Sequence, residues 1–208
     1  TSVLNADSVE IWYDFDSSTK TASVTYKGNS YNDYSGEYSG EVVIPSTVTY
    51  EGEEYSVTSI GEWTFEDCYA LTSITSKNTT PPTIGGSYTF ENVNKSIPVY
   101  VPKSSVDAYK SAVYWKDFTN IVGAYFVDVT AENGTVEGAG AYEENAEVKL
   151  TVTPAEGYKF VKWSDGVTDN PRTVVVVSDT TFTAEFELKE YTLTTEAENG
   201  TVEGAGTY

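Results

Sequence analysis

The chain has 208 residues with 12 basic and 32 acidic side chains, a formal net charge of −20, no histidine, no methionine and one cysteine. This charge repels nucleic acid and disfavours an anionic membrane surface. The composition also withholds the commonest general base and metal ligand, any internal disulfide and any thiolate cluster, so no metal or other cofactor is expected. Aromatic residues make up 14% of the chain, 17 of them tyrosines, amid abundant Thr, Val, Gly and Ser, which is the chemistry of strands and not of an acidic tail.

The chain opens at Thr1 with neither an initiator methionine nor a signal peptide, and is expected to be a trimmed form of an exported protein. Residues 9–15 and 21–27 alternate as two strands around a polar turn at 16–20. A loop over 28–40 follows, in which Tyr31, Tyr34 and Tyr38 stand among Ser, Gly, Asn and Asp. Rigid amphipathic tyrosines beside small polar residues are what adaptable binding loops use, so these three are the candidate ligand-binding residues. The competing reading is that they pack over the edge of the domain. Glu41-Val42-Val43-Ile44-Pro45 reads as a short strand, and 47–50 and 55–60 flank the hairpin turn Glu51-Gly52.

Two related segments come next. Ile60, Phe65, Cys68, Leu71 and Ile74 anchor the first; Ile84, Phe90, Val93 and Val99 anchor the second. The spacing is 24 residues from Ile60 to Ile84 and 25 from both Phe65 to Phe90 and Cys68 to Val93. A period in the twenties with such anchors is the pattern of a leucine-rich-repeat solenoid, in which stacking buries the anchors. These residues, with Ser59-Ile60-Gly61 and the closing Thr80-Pro81-Pro82-Thr83-Ile84-Gly85 and Ile97-Pro98-Val99-Tyr100-Val101-Pro102, resemble the BspA-like leucine-rich repeats of bacterial surface proteins over roughly 37–124. The resemblance implies extracellular adhesion or host-protein binding. The chain holds about two repeats where that family often has many, so the N-terminal hairpins and a C-terminal helix are expected to cap the stack. Cys68 reads as a small buried anchor. For the helix, Ser104-Ser105-Val106-Asp107 fits a capping box, and Val106, Tyr109 and Val113 form an apolar stripe that Trp115 and Phe118 extend.

Beyond residue 125 the pattern changes. Strand-like alternation over 126–130, 147–152, 158–163, 173–177 and 181–188 is broken by turns at Asn133-Gly134, Glu156-Gly157 and Asp165-Gly166. The longest purely aliphatic run is 174–177, so no direct membrane insertion is expected. Asn133-Gly134-Thr135-Val136, the stretch from Gly157 to Gly166 containing Trp163, and Phe182-Thr183-Ala184-Glu185-Phe186 together resemble the divergent internalin-type B repeat over 125–190. That family implies small all-β spacer modules along bacterial surface proteins. Residues 131–142 and 197–208 agree at eleven of twelve positions, at an offset of 66, so 191–208 reads as the truncated start of a second module.

Other chemistries find little footing. Neighbouring acids such as Glu53 with Glu54, Glu66 with Asp67 and Glu143 with Glu144 point to opposite faces of a strand and make poor catalytic pairs. The segment from Asp165 to Asn170 lacks the spacing and terminal Glu of a calcium loop. No Gly-x-Ser-x-Gly elbow is present. The expected fold is therefore mainly β: a short capped leucine-rich-repeat solenoid with one C-terminal helix over 1–124, and a small all-β repeat module over 125–190. The acidity is spread over both, −9 and −11 for 1–124 and 125–208. The expected function is non-catalytic: an exported, extracellular or surface-bound protein that mediates adhesion or protein–protein interaction with a host or neighbouring-cell protein or glycan. Two alternatives are a carbohydrate-binding module of a polysaccharide-handling system, which predicts exposed, roughly coplanar aromatics along one face and is excluded if Tyr31, Tyr34, Trp63 and Trp163 are all buried, and an enzyme of unfamiliar type with a deep carboxylate-lined pocket.

Overall fold

The computed structural model describes residues 2–4, 10–27, 36–193, 198–200, 204 and 206–207. The chain is mainly β and divides into two compact units. The first comprises Thr1–Phe126 with Ala141–Ala146 and Val176–Asp179; the second comprises Val127–Gly140, Glu147–Val175 and Thr180–Tyr208.

The first unit opens with β1 (Ser2–Leu4), β2 (Glu10–Asp16) and β3 (Thr21–Thr25), paired antiparallel in that order. Asp16 holds the β2–β3 turn: its Oδ1 accepts from the Ser18 hydroxyl at 2.6 Å and from the Ser18 and Thr19 amides at 2.9 and 3.3 Å. Led by the Ser18 hydroxyl, these donors hold the exposed carboxyl at about 2. Next come β4 (Gly40–Ile44), β5 (Thr47–Tyr50), β6 (Glu53–Ile60), β7 (Leu71–Ser76), β8 (Thr83–Ile84), β9 (Val99–Pro102), the helix α1 (Val106–Ser111) and β10 (Ile121–Ala131). The hairpin turn between β5 and β6 has φ of 52° at Glu51 and 81° at Gly52, the mirror-image turn whose twist suits two paired strands.

Two parallel ladders organise this unit. In one, Val24, Ile60 and Ile84 lie side by side on β3, β6 and β8. In the other, Val42, Ile74, Val99 and Ile121 lie side by side on β4, β7, β9 and β10. All seven are buried, as are the remaining repeat anchors Phe65, Cys68, Leu71, Phe90 and Val93. Aromatic rings form a column through the same core: Tyr38 lies 5.1 Å from Phe65, Phe65 lies 5.5 Å from Phe90, and Phe90 meets Trp115 and Phe118 at 5.3 and 5.1 Å. Each such ring stabilises the fold by about 1.5–3 kcal/mol through removal of apolar surface from water.

A second column follows the turns. Gly36, Asp67 and Asn92 all have φ between 57° and 75°. The Gly36 amide donates to Glu66 O and the Asp67 amide to Glu91 O, at 2.9 and 3.0 Å, so each turn hangs on the next. Glycine, aspartate and asparagine are the residues that enter this left-handed region at least cost. Asn92 Nδ2 also donates to Asp67 Oδ1 at 2.7 Å.

The helix differs from its sequence reading. It is six residues long, and no side chain caps its N-terminus. The Ser105 hydroxyl donates instead to Thr79 O at 2.8 Å, a tertiary partner that outcompetes the local amides. Because the helix ends at Ser111, Val113 falls off the apolar stripe and is 62% exposed, whereas Tyr109 is fully buried.

In the second unit Val127–Ala131 of β10 runs parallel to β16 (Thr180–Leu188), which also pairs antiparallel with β14 (Tyr158–Trp163). The strands β11 (Gly134–Glu137), β13 (Glu147–Pro154) and β15 (Arg172–Val175) form a three-stranded antiparallel sheet. The last of them is shorter at its C-terminal end than the expected strand over 173–177. Val127, Val148, Leu150, Val152, Trp163 and Ala184 are buried. Asn170 borders β13 as a strand would: its Oδ1 accepts from the Val152 amide at 3.0 Å and its Nδ2 donates to Val152 O at 2.7 Å. The Arg172 guanidinium makes two bonds to Asp165, at 2.7 and 2.8 Å, and lies 4.8 Å over Phe182 and 5.8 Å over Trp163.

The start of the second copy repeats the first. The strand β12 (Gly140–Tyr142) pairs with β10, and at the equivalent places β17 (Thr192–Leu193) pairs with β18 (Gly206–Thr207). The equivalent glycines Gly138 and Gly204 have φ of 96° and 105°.

Candidate functional site

An open groove of the first unit forms where β6 changes partners. Its N-terminal part pairs with β5, through Thr47 opposite Ser56, and its last two residues pair with β8. Between them Thr58 is an extra residue relative to β3, because Ala22 faces Val57 and Ser23 faces Ser59. Such a bulge re-aims the strand locally. The groove has a volume of about 560 Å³ and is lined by Ser46, Thr47, Ser56, Val57 and Thr58 on one side and by 78–81 and Thr83 on the other.

The second wall is held from behind by buried donors. The Tyr109 hydroxyl donates to Asn78 O at 2.9 Å and shares a hydrogen bond of 2.7 Å with the Ser76 hydroxyl. Asn78 Nδ2 donates to Pro45 O at 3.2 Å, which ties the two walls together. The Ser105 hydroxyl holds Thr79 O, and Trp115 Nε1 donates to Pro82 O at 2.9 Å. Burial pushes the Tyr109 hydroxyl up to about 12, so it stays protonated and able to donate at neutral pH. A wall fixed in this way loses little freedom when a ligand settles on it. The lining carries seven hydroxyls and one amide and no charged side chain, in a chain of net charge −20. Hydroxyls both donate and accept, so the groove suits a neutral, hydrogen-bonding ligand.

Of the three tyrosines read as ligand-binding, Tyr31 and Tyr34 lie outside the described residues. Tyr38 is 3% exposed. Its hydroxyl donates to Thr25 O at 2.6 Å and accepts from the Trp12 amide at 3.2 Å, while its ring packs on Phe65. Burial raises its hydroxyl far above the ordinary tyrosine value. Trp163 is fully buried, with Nε1 donating to Asp169 O at 2.8 Å, and Trp63 is half-buried. Cys68 is buried, and its thiol is pushed up to about 11 by that burial, which leaves it protonated and unreactive at neutral pH. Among the described residues of the first unit, the exposed rings are Tyr69 and Tyr88, at 70% and 48%. Tyr69 donates its hydroxyl to Asp67 Oδ1 at 2.7 Å, and burial together with Asp67 and Glu91 raises the Glu66 carboxyl.

Sequence reading did not find the groove, because its walls come from segments whose members lie about 30 residues apart. The one local signal was the run of threonines around Pro81-Pro82, which sequence reading took only as a repeat terminus.

Among the described residues no helix is long and apolar enough to cross a membrane. Residues 125–190 match the family model of the divergent InlB B-repeat domain, a kind of domain typical of bacterial surface repeat proteins. No curated protein and no solved structure matches the chain.

Proposed function

We propose that the chain is part of a non-catalytic, exported bacterial protein of the cell surface or the extracellular space. In this reading the first unit is a short, capped leucine-rich-repeat coil of the BspA-like kind that mediates adhesion or protein–protein interaction, and the β modules act as spacers. The observation that carries it is the head-to-tail repetition of the B-repeat motif, 131–142 against 197–208, within and just after the segment that matches that family. The coil reading is supported by the two parallel ladders and by the ring column that advances one coil at a time. The partner is a host or neighbouring-cell protein or glycan.

A second reading, carbohydrate binding, is favoured by the hydroxyl-lined groove around Thr58 and Thr80, which offers no charge to an ionic partner. It does not use Trp163, which is in the core. Arrays of neutral and anionic glycans and of matrix proteins, probed with the whole chain, separate these readings: selective binding to matrix protein supports the first, to neutral glycan the second. Silence on every array removes the support for both.

A further inference from the structure

On one of its two sides, β16 has a partner strand for only part of its length. Residues 127–131 of β10 lie beside 180–184, and the register ends there because β10 turns away towards β11. β16 runs on to Leu188, and among the described residues its last part, 185–188, pairs with β14 alone. The divergence opens a groove of about 450 Å³ wholly within the second unit, with 130–133 on one wall and 183–186 on the other.

The direction of the backbone groups on this free edge follows from the bonds to β14. Thr183 O accepts the Ser164 amide and the Lys189 amide donates to Gly157 O, both at 2.8 Å. Backbone groups alternate sides along a strand, so Glu185 and Glu187 also point at β14. Phe186 and Leu188 then turn their amides and carbonyls to the side that β10 has left. Leu188 is 65% exposed, so this edge is open. An open edge is a template for another strand.

The side chains set the chemistry of that strand. On the exposed face β14 places Lys162 at 3.5 Å from Glu185 and Lys159 at 2.9 Å from Glu187. Where β10 still flanks β16, the opposite flank carries Thr130, whose hydroxyl lies 3.0 Å from that of Thr183. Beside Glu185 and Glu187 no strand fills that flank. A strand with Lys or Arg at alternate positions would set a cation across from each carboxylate, the favourable cross-strand pairing. None of the 12 basic residues of this chain stands two positions from another, so the matching strand belongs to a different protein.

We propose that this slot in the repeat module binds an extended segment of another protein, one that adds as a strand to the free edge of β16 and carries Lys or Arg at alternate positions. Phe186 and Leu188 supply main-chain hydrogen bonds, and Glu185 and Glu187 supply selectivity. The module is then a recognition element in addition to the spacer proposed above.

The test uses the whole chain and a labelled nine-residue probe of alternating threonine and lysine, followed by fluorescence anisotropy at about 150 mM salt to screen diffuse attraction to the acidic chain. Two further probes, N-methylated at the threonines or at the lysines, keep the charge and lose the donors of one edge each. Strand addition uses one edge, so one of these two should bind at least about tenfold more weakly than the other. Leu188→Pro removes an outward donor while leaving the bonds to β14, and should weaken the parent probe by a similar factor. Bound probe should slow hydrogen exchange at the Phe186 and Leu188 amides. No binding of the parent probe, equal binding of the two N-methylated probes, or protection that leaves Phe186 and Leu188 unchanged would each overturn the proposal.

Discussion

Phe65 and Phe90, 25 residues apart in sequence, stack with ring centroids 5.5 Å apart and planes within 2° of parallel. They are the same position of two successive coils, so their stacking converts a sequence period into a packing distance. Both rings are buried, in contact with Tyr38 on one side and with Trp115 and Phe118 on the other. Phe65→Ala should therefore cost about 3–5 kcal/mol, as cavity-forming changes of large core residues do. Urea unfolding monitored by tryptophan fluorescence measures it; a cost below about 1 kcal/mol would mean that the column is not what holds the coils together.

The turn column gives a prediction of opposite character, since it depends on backbone and not on size. Asn92 has φ of 60° and donates to Asp67. Asn92→Gly loses the side-chain bond but keeps the conformation; Asn92→Val loses both. The valine variant should be less stable than the glycine variant by about 1–2 kcal/mol. Equal stability in denaturant titrations would show that the left-handed turn is not retained.

Tyr109 links the groove wall to alkaline stability. Its folded value is raised to about 12 from an ordinary 10, so the folded chain keeps a proton that the unfolded chain has released. The corresponding stability is complete below pH 10 and is lost as pH rises from 10 to about 12. Tyr109→Phe should flatten the fall in unfolding free energy over that window, while costing about 1 kcal/mol at neutral pH from the lost bonds to Ser76 and Asn78. An unchanged slope between pH 10 and 12 would contradict this assignment.

In the repeat module Arg172 joins a carboxylate to two rings. Led by its hydrogen bond, it holds the Asp165 carboxyl below the ordinary carboxylate value. Arg172→Ala should return Asp165 towards that value in an NMR titration and lower the stability of the module by about 2 kcal/mol. Arg172→Lys should rescue only part of both effects, because an ammonium lacks the planar guanidinium that lies over Phe182 and Trp163. Full rescue by lysine would reduce the interaction to simple charge.

Much of the core was legible from residue types at fixed spacing. The anchors from Ile60 to Val99 are apolar, recur at 24–25 residues and are all buried; Trp163 and Cys68 were read as core and are core. The Glu51-Gly52 turn announced itself through its glycine between two alternating strands. Features that depend on long-range competition were not legible. Ser105 has the chemistry of a cap, yet its hydroxyl is spent on Thr79, 26 residues earlier. The groove around Thr58 exists only once β6 is shared between β5 and β8, a choice of partners that no local pattern encodes.

The most direct test of the account is equilibrium binding of the whole chain to the ligands that arrays of glycans and matrix proteins select, repeated with Thr58→Arg and Thr80→Trp. Both threonines are exposed and line the groove, so these changes should leave folding within about 0.5 kcal/mol of the original. The account predicts a selected ligand whose affinity falls at least about tenfold in each variant, a loss of roughly 1.4 kcal/mol. A chain that binds nothing on either array, or whose binding is unchanged by both substitutions, would contradict the claim that this unit presents a recognition surface at the groove.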